Sequence, residues 1–322
     1  MVKEQLLRLL EEERGIYRSG EEVAERLGVS RAAVWKAAKA LQKEGYAIEA
    51  VQGRGYCLAA GCDVLSAEGV KKFLHAEGLR IEAVPCASST NAVVRERAER
   101  GEAAGLVYIA GEQTAGRGRL ERSFYSPAGT GLYMSLLLRP QQLTAAQAVR
   151  VTTAAAVAVC EAVEAVTGVP AGIKWVNDVF AGGKKVCGIL TEGAYSFENN
   201  SMRYIVLGVG INLYEPQGGF PPPLADIAGA LLPAPVEEGK NRLAAAFLDA
   251  FSGYYPALDR GDHLAIYKRR SLAIGREVEV VSARGRRRAL ALDLDDDCHL
   301  RVRYEGGEEE WLSSGEISIR CV

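Results

Sequence analysis

An α+β protein of three successive units is what this sequence predicts, on three observations. Residues 1–62 carry two capped helical patterns and a short β extension, residues 65–271 mix strand-like runs with long helical spacings, and residues 272–322 change to short alternating runs between polar turns. A chain of 322 residues, 48% hydrophobic, has enough apolar side chains for a large core in more than one domain.

In the first unit, Ser19 followed by Glu22 reads as a capping box opening a helix with Val23, Ala24 and Leu27 on its apolar face, and Gly28 supplies the turn. Ser30 caps the next helix, where Val34, Ala38 and Leu41 recur at helical spacing and face inward. Arg31, Trp35, Lys36, Lys39 and Lys43 lie outward or flank it, so residues 31–43 hold four basic side chains and no acidic one. A recognition helix needs that segregation, because cations must meet phosphates while side chains near its start reach base edges. Gly53-Arg54-Gly55-Tyr56 follows as a wing, which makes the unit a winged helix-turn-helix. Ser30, Arg31, Trp35, Lys36, Lys39 and Arg54 are the expected DNA contacts. A helical hairpin with a solvated positive stripe is the alternative.

In the second unit, apolar or alternating runs at 106–111, 131–138, 186–192 and 204–213 predict strands, and 144–166 and 241–252 have helical spacing. Between Pro216 and Pro235 stand six of the eleven prolines, which predicts an irregular loop over the surface. In the third unit, runs at 277–281, 289–292, 299–304 and 316–320 alternate and predict a small β barrel. Its cluster Arg284, Arg286, Arg287 and Arg288 reads as a solvated hairpin, or as a contact for nucleic acid or an acidic partner.

The net charge of -2 excludes a generally basic nucleic-acid coat. Residues 1–13 show no leader pattern and no window is apolar for long enough to span a bilayer, so a cytoplasmic protein with no membrane partner is expected. Seven scattered cysteines without a Cys-x-x-Cys pair read as reduced and structural. His75, His263 and His299 make no metal-ligand spacing, and neither Gly-x-Gly-x-x-Gly nor the P-loop string occurs.

The chemistry gathers instead at Gln113-Thr114-Ala115-Gly116-Arg117-Gly118-Arg119. Glycines let backbone approach a ligand closely, and forked guanidinium donors suit carboxylate and phosphate oxygens. This loop, with Ser88-Ser89-Thr90-Asn91, Lys174-Trp175-Val176-Asn177-Asp178, residues 185–192 and residues 208–213 in the same order, resembles the biotin protein ligases. With a helix-turn-helix ahead of it, the chain is similar to the bifunctional ligases of that family that also repress the biotin operon.

The resemblance implies a central domain of the class II aminoacyl-tRNA synthetase and biotin ligase type at 65–271 and an SH3-like barrel at 272–322. It implies that biotin and ATP, with Mg²⁺, give biotinyl-5′-adenylate, from which a lysine of a biotin carboxyl carrier protein takes the biotinyl group. It also implies a homodimer that binds operator DNA when biotinyl-5′-AMP is bound. Bringing a carboxylate against an α-phosphate requires fixed positive charge and exclusion of water. At about 4 Å and an effective dielectric near 20 each cation contributes on the order of 4 kcal/mol before desolvation.

Carried over residue by residue, the catalytic set is Arg117, Arg119, Lys185 and Asp178. Biotin falls to Ser89, Thr90, Asn91, Gln113, Gly116 and Gly118 together with Arg117, Arg119, Lys185 and Gly188. ATP falls to Arg119, Arg122, Lys174, Asn177, Asn212 and Trp311. No dedicated metal site is implied, beyond Mg²⁺ near Asp178. Residue chemistry leaves Lys184 and Lys185 equivalent, whereas the family pattern selects Lys185. Ser89 and Thr90 also read as a plain helix cap, Asp178 as a structural cap, and Trp311 as either an adenine stack or a barrel core residue. The chain departs from the family at Leu120-Glu121, where Glu121 adds a negative charge beside the anion grip, and at Val176, which stands for the usual proline. A ligand-sensing repressor without catalysis and a lipoate-type adenylating ligase are the competing readings.

Overall fold

The computed structural model describes residues 2–140, 143–144, 147–196, 198, 201–282, 285–313 and 316–319; Arg284 and Cys321 lie outside them. The chain opens with α1 (Val2–Glu12), α2 (Gly20–Leu27) and α3 (Arg31–Lys43), followed by β1 (Ile48–Val51) and β2 (Gly55–Leu58). Leu6 and Leu10, one turn apart on α1, close a core with Val23, Val34 and Leu41. Ser19 Oγ accepts from Glu22 N at 3.1 Å and Ser30 Oγ from Ala33 N at 3.2 Å, so both expected caps form. The Glu22 carboxylate turns to Arg18 at 2.8 Å, leaving the expected box one-sided. β1 and β2 pair antiparallel as a wing. Gly55 is obligatory there: its φ is 97°, and a Cβ would stand 1.9 Å from the Arg18 carbonyl oxygen.

The central unit runs α4 (Ala67–Lys71), β3 (Arg80–Val84), α5 (Thr90–Glu99), β4 (Leu106–Ala110), β5 (Gly131–Leu138), α6 (Ala148–Thr167), β6 (Gly172–Lys174), β7 (Asp178–Ala181), β8 (Lys184–Ser196), β9 (Ser201–Asn212), α7 (Pro222–Ala225), α8 (Gly239–Tyr254) and α9 (Asp262–Arg270). Its seven-stranded sheet has the order β3-β4-β5-β9-β8-β7-β6, parallel only between β3 and β4. Strand alternation divides the two faces. Val107 and Ile109 of β4 join the main core with α6 and α8, while Leu106 and Tyr108 pack with Val94 and Ala98 of α5 on the opposite side. Small alanines let α6 lie flush on the sheet, apolar nearly all round.

The C-terminal unit is β10 (Glu277–Ser282), β11 (Gly285–Leu294), β12 (Leu300–Tyr304), β13 (Glu309–Leu312) and β14 (Glu316–Ile319), an antiparallel sheet in the order β13-β12-β11-β10-β14. Among the described residues no ladder joins β13 to β14, so the expected barrel is an open sheet here. No helix among the described residues is long and apolar enough to cross a membrane. The six described cysteines are free thiols, five of them buried.

Buried charges fix the first unit to the second. Arg14 donates to Glu11 at 2.7 Å and to the Cys62 carbonyl at 2.5 Å, and stands 3.2 Å from Glu238. Burial raises the Glu11 carboxyl above the usual carboxylate range. Asp63 accepts from the Lys240 backbone N–H at 2.9 Å and from the Tyr214 hydroxyl at 2.7 Å.

The histidine His263 is buried on α9, 3.0 Å from the Thr153 hydroxyl. Burial, with Arg150 nearby, lowers its pKa from 6.5 to about 4. Between those values the unfolded chain takes a proton that the folded chain refuses, so this contribution is intact above the unfolded pKa and is lost as pH falls. A loss of about 2 kcal/mol by about pH 5 is expected. Urea unfolding of the native chain and His263→Gln at both ends of the window checks it, the variant showing the smaller fall.

Candidate active site

The face of the sheet opposite α6 and α8, beyond the start of α5, holds a cavity of about 600 Å³. Its floor is a pair of facing glycines, Gly188 of β8 and Gly210 of β9. A Cβ at Gly210 would come within 2.5 Å of the Phe124 ring, so only glycine lets that ring lie on the strand.

At one end stands a polar chain. Ser89 starts α5 without a side-chain cap bond; the amide oxygen of Gln113 instead accepts from Thr90 N at 2.9 Å and from Thr90 Oγ1 at 3.1 Å. The plain-cap reading of Ser89 and Thr90 is thereby replaced by a cap supplied from the Gly-Arg loop. Gln113 Nε2 continues to Ser126 Oγ at 2.9 Å, and Ser135 Oγ reaches Thr90 and Asn91 at 2.8 and 2.6 Å. Ser135 and Ser126 are absent from the sequence-derived set, and only their position between motifs in space reveals them.

The middle gathers the cations. Lys185 Nζ is 2.7 Å from Asp178 Oδ1. Lys184 Nζ donates to the carbonyls of Ala225 and Asp226 at 3.1 and 2.7 Å, away from the cavity, which separates the two neighbouring lysines. Arg119 Nη1 donates to Asn177 Oδ1 at 3.0 Å, and Arg117 Nη1 stands 3.2 Å from Glu192. Arg122 and Lys174 line the same space, Lys174 Nζ lying 5.5 Å from the Phe180 ring centre. Asp178 is the one acid among the lining residues and already faces Lys185. No cluster of three or more metal-ligating side chains exists among the described residues, so these residues build no cage for Mg²⁺.

The far end is closed by the proline-rich segment. Phe220, Leu224, Ile227 and Ala228 line the cavity, and the Lys185 N–H donates to the Ile227 carbonyl at 2.8 Å. The expected surface loop is therefore a wall of the site; apolar residues among its prolines are the signal. Asn212 donates to the Gly229 carbonyl at 3.1 Å beside it. The C-terminal unit contributes Val281, Arg286 and Ile317, not Trp311. Trp311 is exposed on β13 with the Arg301 guanidinium 5.8 Å from its ring, so it is no barrel core residue, and it lies outside the cavity lining. Arg286, read as part of a solvated hairpin, reaches the cavity rim. Gly116 does not line the space but packs on Phe124 and Ser126.

The Gly-Arg loop is a closed hairpin. Gly118 N donates to the Arg122 carbonyl at 2.7 Å and Arg122 N to the Arg119 carbonyl at 3.2 Å. Its two central residues, Leu120 and Glu121, both have positive φ, 52° and 58°. Such a turn favours Asn-Gly, and side chains like these cost about 1 kcal/mol or more each in that region. Leu120→Asn with Glu121→Gly is expected to stabilise the closed hairpin by about 1–2 kcal/mol. Slower tryptic cleavage at Arg119 and Arg122 without ligand would show it; unchanged cleavage would contradict it.

On the first unit, Arg31, Trp35, Lys36 and Lys39 are exposed along α3, opposite the buried Val34, Ala38 and Leu41. Arg54 of the wing lies 3.8 Å over the Tyr17 ring. The Ser30 hydroxyl caps α3.

Three family models match separate stretches of the chain. One described as the biotin/lipoate A/B protein ligase family matches residues 83–212, an HTH domain matches 2–57, and a biotin protein ligase C-terminal domain matches 273–320. The chain belongs to the biotin protein ligases, in the branch of bifunctional ligase/repressors. The bifunctional ligase/repressor BirA of Bacillus subtilis is 37% identical over 74% of this chain and 73% of its own length. That of Escherichia coli is 29% identical over 95% and 94%. The biotin protein ligase from Aquifex aeolicus, solved in complex with biotin and ATP, superposes with a TM-score of 0.59 at 25% identity, covering 75% of this chain and 98% of that one.

Proposed function

We propose that this protein forms biotinyl-5′-adenylate from biotin and ATP, transfers biotin to a lysine of a biotin carboxyl carrier protein, and represses biotin-synthesis genes through its winged helix. The observation that carries the reading is the convergence of Arg117, Arg119 and Lys185 on one cavity between the Gln113–Thr90 chain and the proline-rich wall. Biotin's ureido ring takes the polar end at Ser89, Thr90 and Gln113, its chain lies along Gly188, and its carboxylate meets the cations. ATP takes the end formed by Asn212, Asn177, Lys174 and Arg122, and Mg²⁺ enters on its phosphates.

Step one joins a carboxylate oxygen to the α-phosphorus and expels pyrophosphate. Arg117, Arg119 and Lys185 bind the negative charge that builds on the phosphoryl oxygens, and the hairpin keeps water away from the adenylate. In step two the acceptor amine must be neutral before it attacks the acyl carbon, and AMP leaves with the bond electrons. Asp178 holds Lys185 in place for both steps.

The three domains are 1–62, 65–271 and 272–322, the last an SH3-like β unit. In the cytoplasm the adenylate-bound chain pairs as a homodimer on operator DNA. The test mixes the full chain, biotin, Mg-ATP and a purified carrier domain, with lipoate as competitor. A biotinylated acceptor by mass, with stoichiometric pyrophosphate, supports the reading; lipoylation or no transfer overturns it.

A further inference from the structure

We propose that Glu192 is a positioning residue for Arg117, a carboxylate on a rigid strand that holds one edge of the guanidinium so that the other faces the ligand. The inference rests on the placing of Arg117 at the biotin carboxylate and adenylate. Glu192 Oε1 stands 3.2 Å from Arg117 Nη1, and its Oε2 accepts from Asn91 Nδ2 at 2.8 Å. Asn91 is itself fixed: it donates to the Leu190 carbonyl at 3.3 Å and accepts from Ser135 Oγ at 2.6 Å, and both Asn91 and Ser135 are buried. The carboxylate is thus anchored to β8 and β5 by a buried polar chain. Arg117 rides between Gly116 and Gly118 on the hairpin and is itself half-exposed.

That asymmetry gives the pair its direction of action. A long side chain on a glycine loop samples many rotamers, and ordering it when ligand arrives costs affinity. A fixed carboxylate removes that cost beforehand. The guanidinium has five donors in one plane, so a partner at Nη1 orients the remaining edge for a second anion. Glu192 is not among the cavity-lining residues, so it acts through Arg117 and not on the ligand. Arg95, 3.8 Å from the same oxygen on the exposed side of α5, adds charge without a hydrogen bond. The same geometry gives Asn91 a role: its amide orients Glu192, and its close fit over Gly208, where a Cβ would stand 2.1 Å from Asn91 Oδ1, leaves no play.

The test measures biotin-dependent pyrophosphate exchange with the full chain as native, Glu192→Gln, Arg117→Ala and the double variant. Glutamine keeps the volume and an oxygen for Asn91 but turns an amide N–H₂ toward Arg117. Expected is a rise of about tenfold in biotin KM for Glu192→Gln, with MgATP KM held within about twofold and faster release of preformed adenylate. In the Arg117→Ala background the same change should add less than about twofold, because the residue acts through that arginine. Arg95→Ala should leave biotin KM unchanged. A native biotin KM in Glu192→Gln overturns the proposal, and so does an equal effect with Arg117 absent. An unaltered biotin KM in Arg117→Ala alone instead overturns the placing of Arg117, which separates the two failures.

Discussion

Lys185→Ala is expected to lower pyrophosphate exchange by about 10²- to 10³-fold while leaving the fold intact. The side chain is part-exposed at the start of β8, so its loss opens no core cavity. Its charge, however, is the counterweight to Asp178 at 2.7 Å. Without it, an unbalanced carboxylate faces the phosphate and carboxylate oxygens that the step must crowd together, so the variant loses an attraction and gains a repulsion. The double variant Lys185→Ala with Asp178→Asn should therefore recover part of the exchange. A loss below about tenfold in the single variant, or no recovery in the double, would remove Lys185 from the reaction.

The second large effect concerns DNA. Arg31→Ala and Lys39→Ala remove exposed cations from α3, on the face opposite its buried Val34 and Leu41. Deleting one phosphate-binding cation should weaken operator binding by about tenfold at moderate salt and reduce the slope of log affinity against log salt by about one. Carrier biotinylation should not change, since α3 lies in a separate hydrophobic core from the cavity. Gel shifts across a salt series decide it. Unchanged slopes in both variants would place the DNA elsewhere.

The sequence made legible what is local and periodic. Ser19, Ser30 and Gly28 act within four residues of their partners, and the strand at 131–138 and helices at 241–252 and 144–166 show their period directly; the structure places these at Gly131–Leu138, Gly239–Tyr254 and Ala148–Thr167. Motif residues could be assembled because loop, Lys174–Asp178 and 185–192 keep a recognisable order. What stayed hidden depends on distance in space. The three-residue β6 and four-residue β7 are too short to show a period, and the proline-rich wall looks like any surface loop until Lys185 N is seen donating to Ile227. That Arg286 and not Trp311 lines the cavity could not be read from the sequence, because it depends on how the strands pack. Only the placing of β10, β11 and β14 against the cavity decides which one reaches it.

Arg14 and its carboxylate partners carry a consequence for aim. Burying Glu11, Arg14 and Glu238 together is a poor way to gain cohesion, since apolar side chains of the same volume would hold the two units as well. Charges do something an apolar patch does not: Arg14 stands 2.6 Å from Glu11 and 3.2 Å from Glu238, and a slide away from those partners would leave buried charge uncompensated. The DNA-reading head is therefore bolted rather than tethered. Helix α3 keeps a fixed bearing relative to the sheet that carries the candidate site.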